Sequence, residues 1–414
     1  MSLLPLLSVL KRRVLHLGVA VSLCFGMGVP VVRAADIHIS AAFMPDINNP
    51  NQREFVNTTP WSGVCLTHLN SCIRNNWWSI DTRIRGTKLG NGKAGYGRGS
   101  FFIGMPAPRR VMVASVDGAD SFPLDLKIIG SALRITDEER DGTVNPASLG
   151  GPSAGCRTAL SNGSANNYSA MRMFIRNDGG EGTHHCALDW LRTNNYAIKE
   201  FDLTYSLSTP NPLGMKSGVY SGSTTFTVGG TGEGGDFDLG DGVTLDDNSV
   251  TVHFTLTIQH AFQLDLAPGS DRAILMPKGG WTQWSDHGIV PKALEKTLPF
   301  HLSSSGRFSV SLACEHALPD GRCAIRNRTE AADDVPLDVQ LTMPGFRNVD
   351  SGVDAVHVPL TSGMTPPVFS ADTFVIRRPS QLHFAVNGDA VRDMLSHPGS
   401  HYRGDVTVIF DADP

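Results

Sequence analysis

Charge is what this chain has least of: 18% of its 414 residues are Asp, Glu, Lys or Arg, against roughly a quarter in ordinary soluble domains. With 41% apolar residues it is no disordered acidic tail, and its balance of signs gives no reason to expect a nucleic-acid partner. Short periods are also missing, which excludes a coiled coil and a collagen. Zinc spacing is missing too. There is no C-x2-C pair, and the one local cluster, His184-His185-Cys186, sends adjacent side chains in divergent directions, so neither a metal nor a cofactor is expected. What is plentiful is glycine, 43 residues, and proline, 25, in a chain too long for one small domain. A glycine-rich, mostly β protein of two domains is expected.

The first 34 residues read as an export signal. Lys11, Arg12 and Arg13 form a positive start, Val14 to Val29 is largely apolar, and Val32-Arg33-Ala34 places small residues where a signal peptidase inspects them. Cleavage after Ala34 is expected. A retained anchor is the alternative, but the apolar stretch is short, carries His16 and leads into polar chain; no later stretch is apolar enough to span a bilayer. Without the leader the formal charge is −9, with residues 35–230 at +2 and residues 231–414 at −11. Halves this different suggest two jobs. The mature chain keeps Cys65, Cys72, Cys156, Cys186, Cys314 and Cys323. An even number in an exported chain reads as disulfides; of the 15 possible pairings, nearest neighbours are the economical choice.

Strand patterns recur throughout. Apolar residues alternate with polar ones at Leu124, Leu126, Ile128; at Val252, Phe254, Leu256, Ile258; at Phe308, Val310, Leu312, Cys314; at Leu337, Val339, Leu341; and at Leu382, Phe384, Val386. Such period-two runs separated by Gly, Pro, Asn and Asp predict half-buried strands packed in sandwiches. The run Gly229 to Gly235 and the acidic Asp236 to Asp247 read as a linker or exposed hairpin, which sets boundaries at 35–230, 231–247 and 248–414. A calcium loop there would need a ligand at Gly240, which has no side chain. Tyr220-x-Gly222-x-Thr224-x-Phe226-x-Val228 and Tyr402-x-Gly404-x-Val406-x-Val408-x-Phe410 repeat one pattern, as if each domain closed on a similar strand.

Enzyme motifs occur without their context. Gly151-Pro152-Ser153-Ala154-Gly155 matches G-x-S-x-G but lacks the strand before and helix after; Gly90-x-Gly92-x-x-Gly95 is followed by no helix. The carboxylate run Thr136 to Gly142 reads as a solvated turn, and Arg403-Gly404-Asp405 as part of the Tyr-x-Gly pattern. The chain is not expected to be an enzyme. The rival reading is a secreted β-sandwich glycan-active enzyme, whose facing carboxylates no motif supports.

The C-terminal half resembles the pilin domain of CblD-like pilus-initiator proteins, the family that includes tip adhesins of colonization-factor fimbriae assembled by the alternate chaperone-usher pathway. The resemblance runs in order through Val252 to Ile258, Phe262-Gln263-Leu264-Asp265-Leu266, Pro277-Lys278-Gly279-Gly280-Trp281, Leu298 to Phe308, Pro379-Ser380-Gln381-Leu382 and the final Tyr402-x-Gly404 strand. In residues 35–230 it is thinner, carried by the two cysteine pairs and Tyr220 to Val228. It implies two immunoglobulin-like sandwiches in tandem, an N-terminal adhesin domain and a C-terminal pilin domain lacking its last strand. The implied partners are a periplasmic chaperone, an outer-membrane usher, a major pilin donating the missing strand, and a host glycan or other surface receptor. The implied place is the fimbrial tip, outside the cell. A structural initiator without a receptor is the second rival. Some relatives carry an arginine before the first cysteine and a basic cluster at the end of the adhesin domain; the matching stretches here are Thr58-Thr59-Pro60-Trp61 and the glycine-rich run, so that receptor site does not carry over.

Two candidate sites follow. Tyr402, Gly404, Val406, Val408 and Phe410 are the expected groove for a donated strand or chaperone, with the last three side chains directed at the core. For a receptor, residues 71–116 hold eight basic side chains and one acid, a net +7, together with Trp77 and Trp78. Arginine forks and an indole suit an anionic glycan, with Trp77, Trp78, Arg83 and Arg85 as the candidate contacts.

Overall fold

In strand Ser249–Ile258 the alternation read from the sequence becomes a buried face: Val250, Val252, Phe254, Leu256 and Ile258 are at most 2% exposed, and the residues between them turn outward. The structure is a computed structural model that describes residues 35–46, 52–93, 95–139, 151–164, 168–189, 193–230, 235–331 and 334–412. The export signal 1–34, residues 231–234 of the glycine run and Arg140 to Gly142 of the carboxylate run lie outside the described residues. The fold is all-β, with a few short helices. Among the described residues no helix is long and apolar enough to cross a membrane.

The first group of strands is one large curled sheet. Ala35–Phe43 runs parallel to Ser249–Ile258, which pairs antiparallel on its other side with Gly218–Gly229. Arg109–Ser115, Ser121–Asp137 and Asn195–Ser208 continue the sheet, and their inward faces share a core containing Phe43, Phe174, Tyr205, Phe226 and Phe254. Helices Gly63–Thr67 and Leu69–Asn75 cover a smaller core with Val64, Trp77, Met171 and Met173. The second group is a sandwich. Phe262–Leu266, Ala293–Ser304, Val375–Asn387, Val335–Thr342 and Cys323–Asn327 follow one another in one sheet. The facing sheet centres on Phe308–Cys314, flanked by Val368–Ser370 and Val406–Asp411. Between them lies a separate core that includes Leu302, Phe308, Val310, Leu341 and Phe369.

Two placements differ from the reading of the sequence. Strand Ser249–Ile258, expected to open the C-terminal half, lies in the first sheet and supplies five residues to the first core. The glycine- and aspartate-rich stretch, expected as a linker, is also built into that sheet where it is described. Phe237 is wholly buried edge-on to Phe201 and Phe226, at 5.7 and 5.4 Å; Phe237–Asp238 pairs with Gly218–Gly229, and Val243–Leu245 with Gly86–Leu89. The reason is compositional. Two apolar side chains, Phe237 and Leu239, anchor a segment whose average composition is that of a loop.

Cys65–Cys72, Cys156–Cys186 and Cys314–Cys323 form the expected nearest-neighbour disulfides, with Cα separations of 5.7, 5.8 and 5.4 Å. Cys156, His184 and Cys186 cluster as potential metal ligands, but the two sulfurs are bonded to each other. Ser153 of the G-x-S-x-G match is buried, and its Oγ accepts from the Ala187 N–H at 3.1 Å, a structural role.

Candidate functional site

The basic stretch at 71–116 is largely neutralised by acids distant in sequence. Arg98 grips Asp238 and, at 2.8 Å, Asp241; Arg109 pairs with Asp236 at 2.7 Å while lying over Phe226; Arg110 holds both oxygens of Asp125. Lys88 is buried, donating to the carbonyls of Leu239, Asp241 and Arg98 at 2.8, 3.1 and 3.3 Å, and burial pulls its ammonium down to about 8. More than half of the +7 of the linear sequence is therefore cancelled by these acids. The signal for this was present in the acids of 236–246, whose partners were invisible.

The four candidate receptor residues have separate fates. Trp77 is 7% exposed and packs under the Arg157 guanidinium, 5.1 Å from the ring centroid. Trp78 is half-buried and stacked on Trp61 at 4.2 Å with 4° between the planes, so one of its faces is covered. Arg85 closes a two-point ion pair on Asp81 at 2.9 and 2.6 Å. Arg83 has a left-handed φ of 65°; its backbone N–H donates to Asp81 Oδ1 at 3.0 Å and its side chain faces solvent. Arg74 and Lys93 are exposed as well.

The second candidate site is an edge. Val406–Asp411 is the outermost strand of its sheet, hydrogen-bonded on one side to Phe308–Cys314, and no strand among the described residues pairs with its other side. Val406, Val408 and Phe410 pack on the second core yet stay half-buried, while Thr407 and Ile409 point outward, Ile409 at 47% exposure. Tyr402 and Gly404 lie just before it. Tyr402 packs partly on the same core, and a Cβ on Gly404 would stand 2.6 Å from the Ala324 carbonyl oxygen, so the chain passes there only as glycine.

The facing sheet also ends openly on this side. Among the described residues Phe262–Leu266 pairs only with Ala293–Ser304, and all but its last residue are half-buried. The Phe410 ring stands 5.6 Å from Phe300 and 6.5 Å from Phe262. Two sheet edges thus flank an apolar seam lined by Phe262, Leu264, Val406, Val408 and Phe410. Among the described residues each edge strand has a ladder partner on one side only, and an open strand edge is a template for another strand. Phe262 and Leu264 were not among the candidate residues; their alternation was visible, but not that they face the last strand.

No family model matches the chain, and no curated protein does. Among solved structures, it is similar to the complex described as "Chaperone-tip adhesin complex is vital for synergistic activation of CFA/I fimbriae biogenesis", at 9% identity over 92% of this chain and 96% of that one, with a TM-score of 0.26. CfaE, the adhesive subunit of CFA/I fimbria of enterotoxigenic Escherichia coli, is similar at 8% identity over 91% and 92%, with a TM-score of 0.25. The CsuC–CsuE chaperone-tip adhesion subunit pre-assembly complex from archaic Csu pili of Acinetobacter baumannii is similar at 10% identity over 91% and 98%, with a TM-score of 0.21. At such TM-scores these likenesses bear no weight for function, and the seam stands on its own geometry.

Proposed function

We propose that this chain is a strand-accepting subunit at the tip of a chaperone-usher fimbria, initiating assembly and carrying adhesion in its first half. The observation that supports it is the apolar seam between the edges of Phe262–Leu266 and Val406–Asp411. In this reading residues 262–412 are an incomplete immunoglobulin-like pilin domain, and residues 35–258 the adhesin domain. A periplasmic chaperone fills the seam first, and a strand donated by the major pilin replaces it at the usher. A whole domain stands where a donor arm would be, so the chain receives a strand without donating one.

The test is strand addition. Peptides with apolar residues at alternate positions, or such a segment fused after Pro414, are expected to convert aggregating mature chain into soluble monomer. Completing the burial of Val406, Val408 and Phe410 supplies about 1 kcal/mol each. Equal solubility and stability with and without an added strand would overturn the reading.

For adhesion, the proposal of an anionic glycan narrows to Arg83 with the exposed part of the Trp61–Trp78 stack, because Trp77 and Arg85 are already engaged. Arg83→Glu is expected to weaken binding of the first half to sulfated or sialylated glycans without affecting strand acceptance; undiminished binding would remove this site.

A further inference from the structure

On the outer face of the first sheet, His38 of strand Ala35–Phe43 lies directly across from His253 of strand Ser249–Ile258. The two rings stack with centroids 5.0 Å apart at 21°. Their chain neighbours Ile37, Ile39, Val252 and Phe254 are at most 3% exposed, so both imidazoles stand on strands fixed by the core. Asp36, on the same face, brings Oδ1 to 2.9 Å from Nε2 of His253. A carboxylate oxygen only accepts, so Nε2 carries the hydrogen, and in the neutral ring Nδ1 keeps its lone pair.

We propose that this face binds one borderline divalent transition-metal ion of the Ni2+, Cu2+ and Zn2+ group. The ligands are Nδ1 of His253 and a ring nitrogen of His38; Asp36 is a positioning residue, and solvent completes the coordination. Imidazole is the side-chain ligand these ions share. A carboxylate accepting from the other ring nitrogen of a ligating histidine is the usual outer partner, which fixes the tautomer and raises basicity. Adjacent strands lie about 4.8 Å apart, and the exposed His38 ring can turn about its side-chain torsions toward an ion on Nδ1 of His253, while Asp36 holds the His253 ring in place. Their neighbours on this face are hydroxyls: Ser223 stands opposite His253, and Thr255 and Ser40 follow along the strands. The six cysteines are closed into disulfides, so no thiolate among them competes.

The experiment is a titration of the full chain, disulfides intact and stripped with EDTA, with Zn2+ by calorimetry and with Cu2+ followed by electron paramagnetic resonance. The wild type is expected to bind one equivalent, with hyperfine coupling to two nitrogens. His38→Gln and His253→Gln should each leave one coupled nitrogen and weaken binding at least tenfold. Asp36→Ala should keep both nitrogens while weakening binding roughly tenfold. All three positions face solvent, and an unchanged thermal melt checks that the variants fold. Absence of stoichiometric binding by the wild type would overturn the proposal. So would Cu2+ and Zn2+ binding that survives at full strength in His253→Gln.

Discussion

Two buried charges stand out among the residues. Lys88 has its ammonium drawn down to about 8 by burial, against an ordinary value of 10.5. Between those limits the unfolded chain holds a proton that the folded chain does not, so stability rises as pH goes from about 8 to 10.5. The full window is worth about 3 kcal/mol. Urea denaturation at pH 7.5 and 10 should show the rise, and Lys88→Met should abolish it while taking the ammonium donor from the Leu239 and Asp241 carbonyls, at a cost of about 2 kcal/mol; the Arg98 carbonyl keeps the Asp241 N–H at 2.9 Å. Asp202 has the opposite sign. Burial holds its carboxyl well above the usual range, although the Val64 N–H donates to it at 2.6 Å. A raised folded value means stability present at low pH and lost as pH rises through that value. Asp202→Asn is therefore expected to raise the melting temperature at pH 7 and to have little effect near pH 3.

At the scale of elements, the repeated Tyr-x-Gly pattern has one local cause. A Cβ on Gly222 would stand 2.4 Å from the Met112 carbonyl oxygen, and one on Gly404 would stand 2.6 Å from that of Ala324. In each case a neighbouring backbone passes where a side chain would be. Gly222→Ala and Gly404→Ala should each cost about 2 kcal/mol by chemical denaturation, with strand separation as the only relief. The helix pair Gly63–Thr67 and Leu69–Asn75 presents a different case, because helices of five and seven residues are too short to persist alone. Their link Cys65–Cys72 closes a short loop, and Cys65→Ala with Cys72→Ala should lose about 2 kcal/mol and raise amide exchange across residues 63–75 first.

For the whole molecule, the two cores share no residue, and the chain crosses between them at Gln259 to Ala261. His260 stitches the crossing. Its Nε2 lies 2.8 Å from the Met215 carbonyl, its Nδ1 lies 3.1 Å from Ser305 Oγ, and its ring meets Phe43 edge-on at 5.7 Å. With Nε2–H donating, Nδ1 accepts from Ser305, whose Oγ accepts in turn from the Ala261 N–H at 2.9 Å. Beside this circuit lies a cavity of about 230 Å³ reached by Met215, Lys216, Arg307 and Val349, so the junction is loosely filled. His260→Ala should leave both cores intact, split thermal unfolding into two transitions and speed proteolysis at residues 259–261; a single unchanged transition would assign the coupling elsewhere.

What the sequence by itself determined is local. Period-two alternation decides which side chains turn inward, so Val406, Val408 and Phe410 could be assigned to the core, and short spacing made the nearest-neighbour disulfides the economical choice. Which strand lies beside which is a long-range matter that alternation does not encode. Ser249–Ile258 would present the same buried face in either body, and only its pairing with Ala35–Phe43 and Gly218–Gly229 places it in the first. Charge shows the same division. A net +7 over 71–116 and a run of aspartates after Gly235 are visible separately, but their cancellation depends on packing that brings residues about 140 positions apart into contact, as at Arg98 and Asp238. The seam is tertiary too, because the half-burial of Phe410 depends on which strands the fold sets beside it, and among the described residues Val406–Asp411 pairs with Phe308–Cys314 alone.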